Sequence, residues 1–174
     1  FSLNFETNHM KYFLLISGFF LIACNLKPDV QKAPLVVDFS EQDDSTKLHL
    51  SNEEWRKILP SDVYHITREK GTERAFTGEY WDFTKNGTYH CYSCDNILFS
   101  SKTKYKSGTG WPSFYDVVHS SSIKSLYDSG HGMVRTEVVC RKCDGHLGHV
   151  FNDGPKPTGL RYCINSAALI FKSE

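Results

Sequence analysis

Four of the six cysteines stand in two Cys-x-x-Cys pairs, a spacing that is typical of metal sites. The pairs are Cys91-Tyr92-Ser93-Cys94 and Cys140-Arg141-Lys142-Cys143, and 45 residues separate them. Two tight turns that each aim two thiolates at one point complete the tetrahedral four-cysteine set of a structural zinc site. Such a site has no open coordination position, so we expect Zn2+ to brace the fold and to take no part in catalysis.

Disulfides are the alternative for these four cysteines, because an exported protein could form them. A disulfide within a Cys-x-x-Cys pair is usually a reactive redox pair, however, and the sequence shows no redox-fold pattern. Structural zinc is therefore the interpretation that we favour for Cys91, Cys94, Cys140 and Cys143.

Cys163 stands outside both pairs, in the segment Gly159-Leu160-Arg161-Tyr162-Cys163-Ile164-Asn165-Ser166. A lone cysteine is either a small buried apolar side chain or a nucleophile. In an extended strand, Arg161 and Asn165 lie two residues away on the same face as the sulfur. A nearby cation lowers the pKa of a thiol, and the Asn165 amide offers a hydrogen-bonding group. These neighbours favour a nucleophile.

Two histidines precede Cys163 in the segment Gly145-His146-Leu147-Gly148-His149-Val150-Phe151. The fourteen residues from His149 to Cys163 allow an antiparallel return through residues 152–159. A histidine beside a thiolate is a standard acid/base arrangement. A structural ring held by the backbone and a zinc ligand are the alternatives for either histidine.

A tryptophan stands in the glycine-rich segment Ser107-Gly108-Thr109-Gly110-Trp111-Pro112-Ser113-Phe114. A tight glycine turn there would present Trp111 at a loop. The side chain is either an ordinary core tryptophan or a wall beside the thiolate. A thioether or S-methyl group would favour such a wall, since sulfur and methyl groups pack well on aromatic rings.

Two short helices are predicted at the start of the folded domain, which we place at residues 51–174. Ser51 and Glu54 form a capping box, and Trp55, Ile58 and Leu59 put apolar groups on one face of the first helix. The second helix is expected over residues 62–69, after a proline and before a glycine.

Short strands are predicted beyond Gly71, where the chain is punctuated by Gly, Asn, Asp and Pro. The β-favouring runs between the turns include residues 97–99, 133–139 and 167–171. No long helical periodicity appears after Glu69. The expected fold is therefore a mainly β, compact antiparallel domain with small N-terminal helices and the four-cysteine zinc site.

The N-terminal segment has the pattern of a secretory signal. Met10 and Lys11 precede the uncharged run YFLLISGFFLIAC, which is shorter than the roughly 20 apolar residues that span a bilayer. Its end, Leu21-Ile22-Ala23-Cys24, resembles a bacterial lipobox, in which the cysteine is lipidated. We expect residues 1–24 to be signal peptide and lipobox, with residues 1–9 upstream of the start. An uncleaved anchor and a buried apolar segment are the alternatives.

Residues 25–50 mix Pro, Asp, Lys and Ser with few aromatic residues, which is typical of a flexible tether. Lipidation at Cys24 would place the domain in a bacterial cell envelope, outside the cytoplasm. The chain has 20 basic and 20 acidic residues and no Lys/Arg run, so nucleic-acid binding is not expected. Contact with a membrane is expected through the lipid anchor only.

Five separate segments together resemble the methionine sulfoxide reductase B family. They are Gly71-Thr72-Glu73-Arg74-Ala75-Phe76-Thr77-Gly78-Glu79-Tyr80, both Cys-x-x-Cys pairs, and the segments 107–114, 145–151 and 159–168. The likeness covers about residues 51–171 and implies a pair of antiparallel sheets, with a structural zinc in many members. It also implies that Cys163 is the nucleophile and that Trp111 contacts the methyl group of the substrate. The other active-site residues that it implies are His146, His149, Arg161 and Asn165.

One position departs from the family pattern. Many members carry a second, resolving cysteine between the glycines that precede the tryptophan, and here that position is Thr109. With four cysteines assigned to zinc and Cys24 to lipid, we expect no internal disulfide in the catalytic cycle. An external thiol, such as a thioredoxin-like partner, would then reduce Cys163.

The resemblance implies thiol-dependent reduction of methionine-R-sulfoxide, protein-bound or free, through a sulfenic acid at Cys163. His149 would deliver the proton with support from His146, and oxidised proteins would be the substrates. The rival hypothesis is a non-catalytic, zinc-braced β binding module. It explains the four cysteines and the strands equally well, but not why Cys163, Arg161, the two histidines and Trp111 occur together.

Overall fold

The structure is a computed structural model and describes residues 47–174. The predicted lipobox with Cys24, and the predicted tether as far as residue 46, lie outside the described residues. Within residues 47–174, no helix is both long enough and apolar enough to cross a membrane.

Two α-helices and nine strands, joined by loops and short 3-10 turns, form the described part of the chain. The helices are α1 (Asn52–Ile58) and α2 (Ser61–Glu69). The strands are β1 (Gly87–Cys91), β2 (Ile97–Ser100), β3 (Lys104–Tyr105), β4 (Ser113–Phe114), β5 (Ile123–Asp128), β6 (Arg135–Cys140), β7 (His146–Phe151), β8 (Arg161–Ile164) and β9 (Leu169–Ser173).

The capping box of α1 forms as predicted. The Glu54 N–H donates to the Ser51 hydroxyl (3.3 Å), and the Ser51 N–H donates to the Glu54 carboxylate (2.8 Å). Trp55 is buried, but the prediction that Ile58 shares its apolar face is wrong, because Ile58 is 61% exposed. The helix ends at Ile58, and extended Leu59 packs against the core instead.

The second helix confirms the predicted span and starts one residue earlier. It buries Val63, Tyr64 and Ile66, and it ends where Lys70 turns left-handed with φ 57°. The N–H of Gly71 then donates to the carbonyl of His65 (3.0 Å), which closes the helix end.

All strand pairings in the described region are antiparallel, and the strands form two sheets. The smaller sheet has the order β2-β1-β9, and the larger has the order β3-β4-β8-β7-β6-β5. This confirms the predicted mainly β, two-sheet architecture with small N-terminal helices.

Aromatic side chains from both sheets meet in the core. Phe99 of β2 stacks on Phe114 of β4 with ring centroids 4.4 Å apart, and Tyr89 of β1 contacts Phe114 edge-on at 5.0 Å. Tyr162 of β8 lies 5.7 Å from Phe99. Offset and edge-on pairs are the favoured arrangements of aromatic rings. One face of the larger sheet is therefore committed to the core, which leaves its other face for the site.

Candidate active site and cysteine cluster

The two Cys-x-x-Cys pairs close matching turns. The N–H of Asp95 donates to the carbonyl of Cys91, and the N–H of Asp144 donates to that of Cys140, both at 2.9 Å. Both aspartates have a left-handed backbone, with φ 60° and 57°, which Asp adopts more readily than most residues. The sequence thus builds the same turn twice, and each turn presents two sulfurs.

The four sulfurs lie within 4.8 Å of one another. The Sγ atoms of Cys91 and Cys143 are 3.7 Å apart, and those of Cys94 and Cys140 are 3.5 Å apart. Sulfurs that each lie about 2.3 Å from one ion are about 3.8 Å apart in a regular tetrahedron. All four are free thiols, which goes against the disulfide alternative. These residues can hold a metal ion.

Cys163 lies in β8, between β4 and β7 of the larger sheet. Its Cα pairs with His149 on one side and with Ser113 on the other. Directly opposed residues of antiparallel strands point to the same face, so the imidazole of His149 and the sulfur of Cys163 share a face. The predicted antiparallel return from His149 to Cys163 is confirmed.

The surroundings of the Cys163 thiol act on its pKa in opposite directions. Burial raises its pKa above the ordinary value, and a hydrogen bond with Thr109 and the charge of Arg161 offset this only in part. Arg161 is itself engaged, since it donates to both oxygens of Asp153 (2.8 and 2.9 Å) and its guanidinium lies over Phe151. Arg161 thus lowers the pKa of the thiol, as expected, but the opposite effect of burial is larger.

His149 is held by a carboxylate. Its Nε2 lies 2.8 Å from Oδ2 of Asp128, a carboxylate that also accepts hydrogen bonds from Arg135 Nη2 and from the N–H of Gly130, both at 2.8 Å. The hydrogen bonds from Gly130 and His149 lower the pKa of Asp128 to about 2. The carboxylate is therefore ionised at neutral pH. Burial lowers the pKa of His149 below its ordinary value, although the hydrogen bond to Asp128 opposes this shift.

His146 is a buried ring with its own carboxylate partner. Its Nδ1 lies 2.8 Å from Oε1 of Glu137, and Lys70 Nζ lies 2.7 Å from Oε2 of the same residue. Burial acts to raise the pKa of Glu137, but these two partners outweigh it, and the pKa lies below its ordinary value. The His146 and His149 ring centroids are 5.5 Å apart, so both predicted histidines lie in one cluster.

Trp111 is partly exposed and is fixed through its indole N–H, which donates to the carbonyl of Glu73 (3.1 Å). The preceding Gly110 has φ 91°, and a Cβ there would meet the backbone of Phe76 at 2.8 Å. Glycine is therefore needed at this turn. The ring is presented at a loop, as predicted, rather than buried in the core.

Asn165 lies close to the other site residues but does not offer its amide to Cys163. Its Oδ1 accepts from the N–H of Glu73 (3.1 Å), and its Nδ2 donates to the carbonyl of Leu147 (3.0 Å). Asn165 directly follows the end of β8 at Ile164, its backbone is still extended (φ −70°, ψ 131°), and its N–H donates to the carbonyl of Leu147 (2.9 Å). Asn165 instead joins the Glu73 segment to β7.

Thr109 lies beside the candidate nucleophile. Its Oγ1 is 3.9 Å from the Cys163 Sγ. Ser107 Oγ lies 2.9 Å from Thr109 Oγ1 and 2.7 Å from Ser113 Oγ, so a chain of hydroxyl groups fixes the loop. The position at which the family often has a resolving cysteine is thus next to Cys163, as the resemblance implies.

Three acidic residues that the sequence did not single out complete the site: Asp128, Glu137 and Glu73. Asp128 and Glu137 reach the histidines through the register of β5, β6 and β7, and Glu137 directly opposes His149. That register could not be counted from the sequence. Glu73 lies in a segment that carried the family resemblance, so a signal for it was present.

The family model of the SelR domain matches residues 59–173. The chain belongs to this family. The match takes in every residue of the site, from Glu73 to Asn165. The predicted resemblance to methionine sulfoxide reductase B is thereby confirmed, and the curated relatives agree.

Three relatives show the extent of the likeness. A protein of Acinetobacter baylyi is 56% identical over 128 residues, which are 74% of this chain and 92% of the relative. A protein of Leptospira interrogans is 57% identical over 128 residues, 74% of this chain and 98% of the relative. A protein of Thiobacillus denitrificans is 57% identical over 127 residues, 73% of this chain and 96% of the relative. Each is named peptide methionine sulfoxide reductase MsrB.

Proposed function

We propose that this SelR-domain protein is a peptide-methionine (R)-S-oxide reductase, with Cys163 as its nucleophile and an external thiol as its reductant. The observation that carries the proposal is the cross-strand pair of Cys163 and His149, which puts a thiol and an imidazole on one face of the sheet. Trp111 stands at a neighbouring loop. The names of the relatives support the same activity.

The reaction transfers the sulfoxide oxygen to the thiol. The Cys163 thiolate attacks the sulfoxide sulfur, and His149 delivers a proton to the sulfoxide oxygen. The protonated oxygen then passes to the Cys163 sulfur: the S–O bond of the substrate and the S–S bond formed by the attack break, methionine leaves, and Cys163 carries the new S–OH bond of a sulfenic acid. The substrate sulfur gains two electrons and the Cys163 sulfur loses two, so the step is balanced without a further redox group.

The neighbouring side chains have distinct tasks in this proposal. Trp111 packs against the substrate methyl group, because methyl and sulfur groups contact aromatic rings favourably. Arg161 stabilises the thiolate and so partly offsets the rise in the Cys163 pKa that burial causes. Asn165, whose amide is bound to backbone, keeps the Glu73 segment and thus Trp111 in place. The selection of the R epimer rests on the family resemblance alone.

The four clustered cysteines, Cys91, Cys94, Cys140 and Cys143, would hold one structural Zn2+. The donor set supports this, since four thiolates are a usual closed zinc shell and the sulfur separations fit it. The ion would stabilise the two turns. The residues proposed for the reaction belong to a separate group around Cys163.

Recycling of Cys163 is proposed to use a thiol from another molecule, because Thr109 at the resolving position has a hydroxyl that cannot form a disulfide. Two external thiols would return the sulfenic acid to a thiol, with release of water and a disulfide. A thioredoxin-like protein outside the cytoplasm would suit this role. The substrates would be oxidised proteins of the same compartment.

A lipid anchor at Cys24 is proposed from the lipobox pattern alone, with residues 25–50 as the tether. It would place the domain in a bacterial cell envelope, where several acyl chains hold firmly to a membrane. In a bacterial host, the full chain should then be labelled by a fatty acid, and Cys24→Ala should abolish the label. An unlabelled wild-type chain would contradict the anchor.

The activity is tested with the two epimers of a methionine sulfoxide peptide and dithiothreitol as reductant. The full chain should reduce the R epimer and leave the S epimer unchanged. Cys163→Ser should abolish turnover while the protein keeps its metal. A wild-type chain that holds metal but reduces neither epimer would instead support the zinc-braced binding module.

A further inference from the structure

The proposed reduction needs one proton at the sulfoxide oxygen, and the surroundings of the two histidines differ. His146 is 3% exposed, and its Nδ1 is bound to Glu137, itself 2% exposed. His149 directly opposes Cys163, and its side chain is 13% exposed. A substrate held at Cys163 can therefore reach His149 more readily than His146.

Asp128 determines which nitrogen of His149 can exchange a proton. Its Oδ2 lies 2.8 Å from His149 Nε2. An ionised carboxylate only accepts hydrogen bonds, so Nε2 carries a hydrogen whether the ring is neutral or charged. The proton that comes and goes is then the one on Nδ1.

The carboxylate of Asp128 is itself fixed. The residue ends β5, just before the 3-10 turn Gly130–Gly132, and the N–H of Gly130 holds Oδ1 at 2.8 Å. Arg135 of β6 holds Oδ2 at 2.8 Å. With both oxygens bound, the carboxylate has little freedom to turn away from the imidazole.

We propose that Asp128 is a positioning residue, which holds His149 by Nε2 so that Nδ1 delivers the proton to the sulfoxide oxygen. The destination of the proton rests on the proposed function. The Asp128–His149 pair itself is independent of the proposed function, since it can be observed without substrate.

Arg135 acts on His149 in the opposite sense to Asp128. The carboxylate raises the pKa of His149, whereas the positive charge of Arg135 lowers it. The titratable and charged groups that share the sheet face with His149 are Lys124 and Asp128 of β5, Arg135 and Glu137 of β6, His146 of β7, and Arg161 and Cys163 of β8. Removing Asp128 or Arg135 should therefore shift the titration of His149 in opposite directions.

The test is an NMR titration of the full chain with 15N-labelled histidine. Wild-type protein should show a hydrogen on Nε2 of His149 throughout, and titration at Nδ1. Asp128→Asn should lower the pKa of His149, and Arg135→Gln should raise it. A general loosening of the sheet would not shift the pKa of His149 in opposite directions in the two variants. Arg135→Gln also serves if Asp128→Asn does not fold.

Asp153→Asn is the matched control, because it removes a carboxylate bound to Arg161 but leaves the Asp128–His149 pair intact. It should leave the His149 titration as in the wild type. An Asp128→Asn protein that titrates like the wild type would overturn the proposal, even if its activity falls, since the role would then be structural only.

Kinetics provide the second readout. Asp128→Asn should lower kcat/KM by about 10- to 100-fold, by analogy with the loss seen when the carboxylate partner of a metal-binding histidine is removed. In a His149→Ala background, which itself should lose about 10²–10⁴-fold, the same substitution should add nothing. Additive losses would overturn the proposal. Absence of turnover in the wild type would overturn the proposed function, and the titrations would distinguish that failure from failure of the pair.

Discussion

At the scale of single residues, Cys163 and His149 titrate in the reverse order to the one that the reaction needs. Burial raises the pKa of the thiol above its ordinary value and lowers that of the imidazole. The resting pair at neutral pH is therefore a thiol beside a neutral imidazole. The reactive pair consists of a thiolate and an imidazolium. It carries the same number of protons as the thiol and neutral imidazole, and is therefore a minor tautomer of the resting pair.

The pH dependence of kcat/KM follows from this order. The rate should rise with pH up to the pKa of His149, which burial holds below its ordinary value, because a pair with both the thiol and the imidazole protonated must lose one proton before it can react. It should stay level through neutral pH and fall above the pKa of Cys163, which burial raises above its ordinary value. Initial rates with a sulfoxide peptide across this range would measure both limbs. A rate that climbs steadily through neutral pH would contradict the assignment of His149 as the acid.

The position of Thr109 makes a second prediction at this scale. Its Oγ1 lies 3.9 Å from the sulfur of Cys163, so Thr109→Cys would place a second thiol within reach of a sulfenic acid. That variant should form an internal disulfide after oxidation by substrate, whereas the wild type should not. Mass spectrometry of peptides from the unreduced protein would detect it. Thr109→Ser is the control, because it keeps the hydroxyl and should form no bond.

Residue types and spacing predicted much of the site. The Cys-x-x-Cys pairs predicted the cluster of four sulfurs, and the separation of His149 from Cys163 predicted the antiparallel return between their strands. The carboxylates behind the histidines were not predicted, because Asp128 and Glu137 approach only through the register of three strands. Local spacing also did not predict the partners of the Asn165 amide, which are backbone groups of Glu73 and Leu147.

At the scale of elements, the close approach of β7 and β8 brings His149 to Cys163. Gly148 permits this approach, because a Cβ at that position would lie 2.1 Å from the carbonyl oxygen of Cys163. The obstacle is backbone rather than a flexible side chain, so it cannot move aside without shifting β8.

Gly148→Ala should therefore lower both stability and turnover. We expect a loss of about 1–3 kcal/mol in the free energy of unfolding, the usual cost of overpacking, as measured by chemical denaturation. Gly108→Ala is a useful comparison for stability. Gly108 has φ 77°, and a Cβ placed there would have no neighbour within 4 Å, so that only backbone strain is tested. Equal stability in the two variants would contradict a steric role for Gly148.

The elements themselves were largely predictable. The capping box and the apolar spacing located α1, the flanking proline and glycine located α2, and the β-favouring runs located β2, β6 and β9. Ile58 was misplaced because α1 is only seven residues long, so the chain leaves the helix before a full apolar face forms. The order of strands in the larger sheet depends on long-range pairing, which short apolar runs do not encode.

At the scale of the whole molecule, the cysteine cluster joins the two sheets. Cys91 ends β1 of the smaller sheet, and Cys140 ends β6 of the larger one. Arg68 of α2 adds to this junction, since its Nη1 donates to the carbonyl of Cys143 at 2.7 Å and its guanidinium lies over Trp55. A metal ion at the cluster would hold helices and both sheets together.

Removal of one cluster cysteine should therefore destabilise the whole protein. Cys91→Ser should release the metal and lower the free energy of unfolding by roughly 4 kcal/mol or more, the range that indicates loss of a metal or disulfide. Metal analysis and thermal unfolding would measure both. Cys163→Ser should keep about one zinc ion per chain and an unchanged stability. A wild-type chain without metal would contradict the proposed zinc site.

The molecule as a whole was predicted more securely in its domain than in its N-terminal segment. The mainly β domain was predicted from β-favouring runs, turns and the cysteine pairs, and its two sheets from the family resemblance, and the structure confirms both. The signal peptide, the lipid on Cys24 and the location in the cell envelope stay predictions, because they depend on cellular processing rather than on the packing of residues 47–174.

The central claim, that Cys163 takes the oxygen from methionine-R-sulfoxide, is tested most directly in a single turnover without reductant. The full chain is mixed with about one equivalent of the sulfoxide peptide and then treated with dimedone. We predict about one equivalent of reduced peptide, a dimedone adduct on Cys163 and no disulfide. Absence of reduced peptide, or oxidation found at Cys91, Cys94, Cys140 or Cys143 instead of Cys163, would contradict the account.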